Sequence, residues 1–598
     1  MQPEEHYIRL YEQLSEKQIH TSSPFSITID EVADRLCCTP RNAVLLLRKW
    51  EAKGWSLWKP GNGRGHRSSL ALISTPEDIL FEEAKRQFRE GNMDRAFFVS
   101  SANSEADRRF SAWLSRHLGY RLEKSEKDGT FSFKESLHFS FYRPVGSLDP
   151  AVVVRQTEYH WISHIFDTLL RFGEDGSVLP HLAHFWEHSR NYTHWTFYMR
   201  KGILFHNGEA MTASDAMFSL NRLLDPDVCS PHEHWYKHIR RVETDGPYKL
   251  QLETSVPEPM LPQILAFPAS SVLCRKEAKP SANPFRFAGS GPYELMQKHS
   301  KSMTLQAFDR YFSGRVHLDE IRMWLLPESG NSPDADKNRI RFTPFSDDGP
   351  KTSANHRELE RNDLELKFLV FNLNKPGPQH DLRFRKKVAR IIADADMVEE
   401  LGQNRRSSKN AVFVSDDGQS LSDNRDCTQN LFGPSEPAAP LILSSYDMPL
   451  HVEDARWIGN LLSASGTACE PFVLPHEQWS KFAEPADLWL GSAVLHPSRE
   501  LSELAMLCET SGPFRHALKP RQLQDLDDAI AKLRQEPEPA ARRRKLAEIS
   551  EELRQSCLWI PLYTTFQRTR YDARLEGVRL SAYGFPEYRN MWLRNRYE

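Results

Sequence analysis

The stretch ITIDEVADRLCCTPRNAVLLLRKW, residues 27–50, decides the fold of the N-terminal region. Apolar residues recur at helical spacing before the Cys37–Cys38 pair and again after Thr39, which predicts two helices joined by a short turn. Thr39 suits the N-cap of the second helix, because its hydroxyl can accept a hydrogen bond from the free amides of the first turn. Pro40 suits the first helical position, where no amide donor is needed. The pattern predicts a helix-turn-helix whose second helix runs to about Trp50.

The residues that follow this helix pair are typical of a β-hairpin. Gly54–Trp58 and Ser68–Ile73 have strand character, and a glycine-rich turn at Gly61–Arg67 separates them. Within that turn, Gly61–Gly65 lacks the Lys-Ser/Thr ending of a phosphate-binding P-loop, so we expect no nucleotide site. A helix-turn-helix followed by a hairpin is a winged helix.

The same region is locally basic, although the net charge of the 598-residue chain is only −3. Between Arg35 and Arg67 there are eight Lys or Arg residues against one acid, Glu51. Binding to DNA phosphates needs such a surface, whereas a charged face without a partner is the alternative. The pattern predicts contact with double-stranded DNA. The candidate DNA-binding residues are Thr39, Arg41, Asn42, Arg48, Lys49, Arg64, His66 and Arg67.

The composition of the whole chain is that of a soluble, multidomain protein, with 39% hydrophobic and 27% charged residues. Residues 1–7 lack the pattern of an export signal, and no apolar run approaches the roughly 18 residues of a membrane span. The eight cysteines are scattered without C-x-x-C spacing, so we expect reduced thiols and no zinc site. We therefore expect a cytoplasmic protein without a membrane anchor.

The periodicity changes along the chain and predicts three parts. Residues 1–75 are the predicted winged helix-turn-helix domain, and residues 76–130 have the pattern of a helical connector. Apolar residues then alternate with polar ones at Phe133, Leu137, Phe139 and Phe141, which indicates a strand. After this strand the pattern predicts interleaved strands and helices. Residues 131–598 are therefore predicted to form a second, α/β module.

The N-terminal residues resemble the DNA-binding domain of SgrR-type regulators, for which sugar-phosphate stress is the best-known signal. The resemblance lies in His6–Leu10, in the end of the helix-turn-helix at Arg48–Trp55 and in the wing at Gly63–Ser68. It covers about the first 115 residues and implies a DNA-binding transcription regulator.

The rest of the chain resembles the family 5 solute-binding proteins, the oligopeptide- and nickel-binding group of transport receptors. The matching stretches follow one another in the expected order: Ser147–Pro150, Ile165–Leu170, Leu179–Ala183, Trp195–Gly208, Met211–Ala216, Gly289–Tyr293 and Phe371–Lys375. Without the resemblance, most of these residues are explained as strands, turns and helix starts. The resemblance implies an α/β fold of two lobes with a cleft that closes over a ligand, in the manner of a type II periplasmic binding protein.

Such a fold implies that the chain crosses twice between lobes. We expect the first lobe at about 138–370 plus 556–598, and the second at about 371–555. Tyr142 and Arg143 follow the first strand of the module, where a guanidinium would suit phosphate or carboxylate. Trp489 and Ser492 are further candidates for ligand binding, with core packing as the alternative for the tryptophan.

Peptide receptors of this group carry an aspartate on a strand of the second lobe that pairs with the peptide amine. The matching stretch here is Asp487–Pro497, and Ala493 occupies the aspartate position. Alanine cannot neutralise an ammonium group. The resemblance therefore does not by itself imply a peptide ligand.

Two histidine clusters raise the question of a metal, because some relatives bind nickel. They are His232, His234 and His238, and separately His181, His184 and His188. Neither cluster has an obvious carboxylate-supported ligand set, so we expect no metal and no cofactor.

These features predict a one-component DNA-binding transcription regulator, whose partners are promoter DNA and a small solute such as a sugar phosphate or a peptide. The alternative is a solute-binding component of an ABC transporter for peptides or metal complexes. An enzyme is not expected, because no G-x-S-x-G, H-E-x-x-H or P-loop motif is present. The sequence does not specify an oligomeric state.

Overall fold

The structure is a computed structural model. It describes residues 3–16, 22–61, 67–115, 117–127, 130–141, 144–173, 175–277, 288–298, 301–325, 342–343, 356–362, 364–407, 439–483, 486–496, 498–509, 512–581 and 583–594.

The N-terminal domain is a winged helix. Its elements are α1 (Pro3–Ser15), β1 (Phe25–Ile27), α2 (Ile29–Leu36), α3 (Pro40–Ala52), β2 (Ser56–Lys59) and β3 (Ser68–Leu72). The strands form one antiparallel sheet in the order β1-β3-β2. Thr28 and Glu31 form a capping box at the start of α2, and Cys37 ends that helix in the left-handed conformation with φ of 50°. The predicted helix-turn-helix and hairpin are confirmed.

Helix α1 closes the core of this domain. The Tyr7 hydroxyl donates hydrogen bonds to the carbonyl oxygens of Trp55 (2.7 Å) and Ser74 (2.9 Å), both of which lie beyond α3. The indole Nε1 of Trp50 donates to the Pro3 carbonyl oxygen at 3.0 Å. These buried polar groups are therefore satisfied while their rings pack in the core.

Three helices follow the winged helix: α4 (Pro76–Arg89), α5 (Met93–Ser100) and α6 (Ser104–Ser115). The expectation of a helical connector through residue 130 is wrong at its end, because Gly119–Lys127 form a strand, β4, that pairs with β5 (Thr130–Phe141). In that pairing Tyr120 lies opposite Leu137, and both side chains are buried. Burial of this cross-strand pair outweighs the helix-compatible composition of the segment.

The first lobe contains most of the remaining elements before residue 362. These are α7 (Gln156–Ile165), β6 (Leu170–Phe172), β7 (Val178–Pro180), β8 (Ala183–His188), β9 (His194–Met199), α8 (Ala213–Leu223), α9 (Glu233–Tyr236), β10 (Ile239–Thr244), β11 (Lys249–Thr254), α10 (Leu261–Leu265), β12 (Tyr293–Lys298), β13 (Ser302–Ala307), β14 (Glu320–Leu325), β15 (Phe342–Thr343) and β16 (His356–Arg361). Its two main sheets have the orders β12-β13-β14-β5-β4 and β10-β11-β9-β8.

The second lobe is built on a six-stranded sheet. Its elements are β17 (Glu365–Phe371), α11 (Leu382–Asp394), α12 (Met397–Leu401), β18 (Arg405–Ser407), β19 (Leu441–Tyr446), α13 (Pro449–Ala464), β20 (Cys469–Leu474), α14 (His476–Trp479), β21 (Leu488–Val494), α15 (Arg499–Cys508), α16 (Pro513–Ala517), α17 (Pro520–Arg534), α18 (Pro539–Ser556) and β22 (Trp559–Thr565). The strand order is β18-β22-β17-β21-β19-β20, and helices cover the sheet.

The chain then returns to the first lobe with β23 (Gln567–Asp572), β24 (Leu575–Glu576) and β25 (Trp592–Leu593). Strand β23 lies between β15 and β16 in a small sheet. This arrangement differs from the lobe boundaries expected at residues 370/371 and 555/556, because β17 and β22 both belong to the six-stranded sheet of the second lobe. Since β17 and β22 pair with each other, the second sheet extends from Glu365 to Thr565 in the sequence.

Trp324 of the first lobe joins the connector helices to the binding module. Its indole is buried and packs in one cluster with Phe97 and Phe110, and the ring of Phe88 on α4 lies 5.6 Å away. Ile8 of α1 packs against the same cluster. The winged helix, the connector and the first lobe are therefore linked by continuous apolar packing.

Candidate DNA interface and ligand cleft

Helix α3 presents a basic outer face and an apolar inner face. Arg41, Asn42, Arg48 and Lys49 are exposed. The buried residues of the helix are Ala43, Leu46, Leu47 and Trp50, in the core of the domain. Within the described residues the side chains of Arg41, Arg48 and Lys49 form no ion pair, whereas Lys53 pairs with Glu4 at 2.7 Å. The second helix of the motif thus offers unneutralised cations to a phosphate backbone or a groove.

Other predicted DNA-binding residues have different surroundings. The Thr39 hydroxyl accepts a hydrogen bond from the Asn42 amide at 3.3 Å, so Thr39 caps α3 as its position indicated. The exposed Arg67 forms an ion pair with Glu31 at 3.2 Å, which ties the wing to α2. Arg64 and His66 lie outside the described residues. The DNA-binding role of the whole set stays a prediction.

Leu45 is a residue of α3 that the sequence pattern did not single out. Its side chain is 49% exposed, and it lies on the same outer face as Arg41 and Arg48. An exposed apolar side chain between two arginines can contact the methyl group of a thymine in the major groove. Helical spacing from Arg41 would have identified it, because Arg41, Leu45 and Arg48 are four and three residues apart.

A small cavity of about 50 Å³ lies between the two lobes. The first lobe contributes Val154, Tyr159, Pro231, His232, His234, Trp235 and Phe267 to its wall, and the second lobe contributes Ala493, Val494, His496, Ala505, Met506 and Glu509. An adjoining pocket shares Trp235, Phe267 and His496 and adds Tyr236, Gln263, Ile264 and Leu501. We refer to these two connected spaces as the cleft.

The histidines that border the cleft are uncharged near neutral pH. Burial lowers the pKa of His232 to about 4, of His234 to about 3 and of His496 to about 4. The His232 Nε2 donates to the Val153 carbonyl oxygen at 2.6 Å. The His234 Nδ1 lies 3.0 Å from the Pro231 carbonyl oxygen, which can only accept, so His234 Nε2 carries the lone pair.

Three polar atoms of the cleft are buried without a hydrogen-bond partner among the described residues. They are Nε2 of His234, Nδ1 of His496 and Oε1 of Gln263. Ala493, at the position of the peptide-receptor aspartate, borders the same cavity and is 5% exposed. The cleft thus contains buried polar atoms without a hydrogen-bond partner among the described residues. Ala493 provides no carboxylate that could pair with an amine.

Of the four residues predicted to bind a ligand, the two that the structure describes, Trp489 and Ser492, do not border this cavity. Trp489 is buried in the core of the second lobe, with its ring 5.6 Å from that of Phe482. Ser492 pairs in the sheet with Lys367, whose buried Nζ lies 2.6 Å from Nε2 of His451. Tyr142 and Arg143 lie outside the described residues. Core packing, the alternative given for Trp489, agrees with the buried position of its side chain. Ligand binding by Tyr142, Arg143, Trp489 and Ser492 stays a prediction.

Arg534 of α17 joins the two sides of the cleft. Its guanidinium donates to the carbonyl oxygens of His234 (3.1 Å) and Trp235 (2.9 Å) and to the Glu258 carboxylate (2.5 Å). Both charged side chains are almost completely buried. The second lobe is therefore joined to the first-lobe segment that carries His234 by charge-assisted hydrogen bonds.

The two histidine clusters do not form metal sites within the described part of the chain. His181 contacts the buried Asp167 at 2.7 Å, whereas His184 and His188 are exposed. Of the other cluster, His232 and His234 border the cleft but His238 does not. The sequence analysis considered these histidines only as metal ligands and expected no metal, and it did not place His232 or His234 at the cleft.

Two family models match separate parts of the chain. The model described as "Sugar transport-related sRNA regulator N-term" matches residues 2–125. The model described as "Bacterial extracellular solute-binding proteins, family 5 Middle" matches residues 177–431. The fold and these matches define a winged helix fused to a two-lobed solute-binding module.

Relatives of similar length match the chain almost from end to end. HTH-type transcriptional regulator SgrR of Yersinia enterocolitica is 24% identical over 98% of both chains, and SgrR of Pectobacterium atrosepticum is 25% identical over the same shares. Protein YhjP of Bacillus subtilis is 28% identical over 95% of this chain and 96% of its own. The chain is similar to these SgrR regulators over its whole length, and its domain order is a match to the SgrR N-terminal model followed by a match to the family 5 solute-binding model.

Solved structures support the fold of the binding module. The murein tripeptide binding protein MppA of Escherichia coli superimposes with a TM-score of 0.62 at 18% identity, covering 77% of this chain and 98% of MppA. NikA from Brucella suis, in complex with Fe(III)-EDTA, gives 0.61 at 17% identity, covering 77% of this chain and all of NikA. No described helix is long and apolar enough to cross a membrane.

Proposed function

We propose that this protein is a cytoplasmic one-component transcription regulator, which binds promoter DNA through α3 and the wing and senses a small solute in the cleft. The observation that carries the DNA-binding part is the exposed basic face of α3, with Arg41 and Arg48 outside the core and free of ion pairs within the described residues. The regulators named SgrR, which match the chain over its full length, support this role.

The solute-sensing part is supported by the cleft and by the family 5 fold. Binding proteins with this fold include ones named for a murein tripeptide and for Fe(III)-EDTA. A role as a transporter component would leave the winged helix without a function. The relatives with a stated function are regulators and binding proteins, which supports a non-catalytic role.

Ligand control requires that the solute bind the open and closed cleft with different affinity. Closure moves one lobe relative to the other, and the first lobe packs on the connector through Trp324. The connector in turn contacts α1 through Ile8. This packing provides the route from the cleft to the DNA-binding helix.

The DNA-binding role is tested with the full chain and labelled DNA from upstream of its own gene, by fluorescence anisotropy. We expect binding to this promoter to exceed binding to a scrambled sequence at roughly 0.15 M salt. Arg41→Ala combined with Arg48→Ala should weaken promoter binding about 100-fold and reduce the slope of log affinity against log salt by about 2.

The matched control is Arg108→Ala, because Arg108 lies on α6 with its side chain 73% exposed. This control should leave promoter affinity within about two-fold of wild type, since surface changes away from an interface have small effects. Equal binding of promoter and scrambled DNA by the wild-type protein would contradict the proposal.

A further inference from the structure

Leu45 on helix α3 is an exposed apolar residue that the core of the winged helix does not use. It is 49% exposed, whereas the adjacent Leu46 lies in that core and Val44 packs against it. Leu45 belongs to neither group. A single exposed leucine is common on protein surfaces, so its surroundings decide whether it has a role.

The side chains around Leu45 form a polar rim. Residues three and four positions apart are neighbours on a helix surface, and at these distances from Leu45 the chain has Arg41, Asn42, Arg48 and Lys49. All four are exposed, and their side chains form no ion pair or hydrogen bond with another described residue. Leu45 therefore lies at the centre of a face whose edge has three cations and one amide.

This face is complementary to the major groove of DNA. Its cations suit the phosphates on either side of the groove, which is wide enough to admit a helix. Helix α3 begins at Pro40, so Leu45 lies in its second turn, in the half of a recognition helix that contacts base edges. The apolar group on those edges is the C5-methyl group of thymine. An apolar centre inside a cationic rim therefore matches a thymine methyl group between two rows of phosphates.

We propose that Leu45 is a specificity-determining residue, which packs on the C5-methyl group of a thymine in the promoter while the polar rim binds the flanking phosphates and bases. Base contacts carry sequence information, whereas phosphate contacts do not. The inference rests on the proposed DNA-binding role and adds the base that this role selects. Burial of one methyl group strengthens binding about four-fold.

Promoter duplexes in which each thymine in turn is replaced by deoxyuridine test this contact, because the replacement removes only the C5-methyl group and keeps the base pair. Fluorescence anisotropy with the full chain compares each duplex with the unmodified fragment. We expect at least one replacement to weaken wild-type binding about four-fold. The same replacement should weaken binding by Leu45→Ala less than about 1.5-fold, because the methyl group has then lost its partner.

The variant itself gives a second readout. Leu45→Ala should weaken binding to the unmodified fragment about four- to ten-fold and leave the salt dependence unchanged, since a leucine contacts no phosphate. Alanine is the best helix former and Leu45 is outside the core, so the variant should keep its fold. Leu45→Met keeps an apolar side chain and should retain most of the response to deoxyuridine.

The matched control is Leu382→Ala, the same change at a 39% exposed leucine on α11 of the second lobe. It should bind the unmodified fragment within about two-fold of wild type and show the full loss with deoxyuridine.

Three results overturn the inference alone, with specific promoter binding intact. They are wild-type binding that no replacement weakens, an equal loss with deoxyuridine in Leu45→Ala and in wild type, and unchanged affinity of Leu45→Ala for the unmodified fragment. Equal binding of promoter and scrambled DNA contradicts the proposed function, and the inference with it.

Discussion

The winged helix and the cleft use their arginines in opposite ways. Arg41 and Arg48 project from one short helix, exposed and without an ion pair in the described residues. Arg534 is buried, paired with Glu258, and holds a segment of the opposite lobe. Exposed cations attract a polyanion without rearranging the fold, whereas a buried pair holds the segments around the cleft in place. DNA binding should therefore depend on salt, and cleft integrity on buried polar contacts.

The largest effect is expected from removing the buried arginine. Arg534→Ala leaves Glu258 buried and unpaired, which should lower the free energy of unfolding by about 3–5 kcal/mol. Urea unfolding followed by tryptophan fluorescence measures this change. The control Arg240→Ala breaks an exposed pair with Glu253, whose atoms are 3.6 Å apart, and should cost less than about 1 kcal/mol. Similar losses of unfolding free energy in both variants would mean that the contacts of Arg534 with the first lobe do not stabilise the protein.

Acid should destabilise the binding module through its neutral histidines. Burial lowers the pKa of His234 to about 3, below the value of 6.5 in an unfolded chain. Between these values the unfolded chain takes up a proton that the folded protein does not. Above about pH 6.5 His234 is neutral in both states and does not lower the free energy of unfolding. As the pH falls below this value the free energy of unfolding decreases, by up to about 2 kcal/mol at pH 5 for this residue.

Urea unfolding at pH 7.5 and pH 5 checks this expectation. His234→Gln should reduce the loss of stability between the two pH values, because the glutamine does not titrate. His184→Gln, at an exposed histidine of the same lobe, should leave the loss unchanged. An identical pH dependence in wild type and both variants would show that His234 is not protected from protonation by the fold.

The smallest effect concerns the start of α3. Thr39→Ala removes the hydroxyl that caps the helix and should lower the stability of the winged helix by about 1 kcal/mol, without affecting solute binding. Ser26→Ala, at an exposed position of β1 in the same domain, is the control. Hydrogen exchange of the α3 amides reports the change locally. Unchanged exchange in Thr39→Ala would argue that the cap contributes little.

The winged helix was predictable because its determinants are local. Thr39, Pro40 and the apolar spacing around Leu47 act within one or two helical turns, so their pattern can be read directly from the sequence. Leu45 was not named because the candidate DNA-binding residues were chosen among polar and charged side chains.

The sequence predicted the two-lobed fold that contains the cleft, but not the residues that form the cleft wall. Its wall joins Tyr159, His234, Gln263 and His496, which are far apart in the sequence and meet through tertiary packing. The sequence analysis considered His232 and His234 for a metal and expected none, but it did not place them at the cleft, since burial and the loss of charge that it causes are not visible in a pattern. Strand β4 was also missed because its pairing depends on a second strand: Tyr120 lies opposite Leu137 of β5.

Coupling between the cleft and α3 is the central claim of this account, and one titration tests it most directly. Promoter affinity of the full chain is measured by anisotropy at increasing concentrations of glucose 6-phosphate and, separately, of trialanine. We expect one of these solutes to change promoter affinity at least about five-fold in the wild-type protein. Promoter affinity that does not change with a solute that calorimetry shows to bind would contradict this claim.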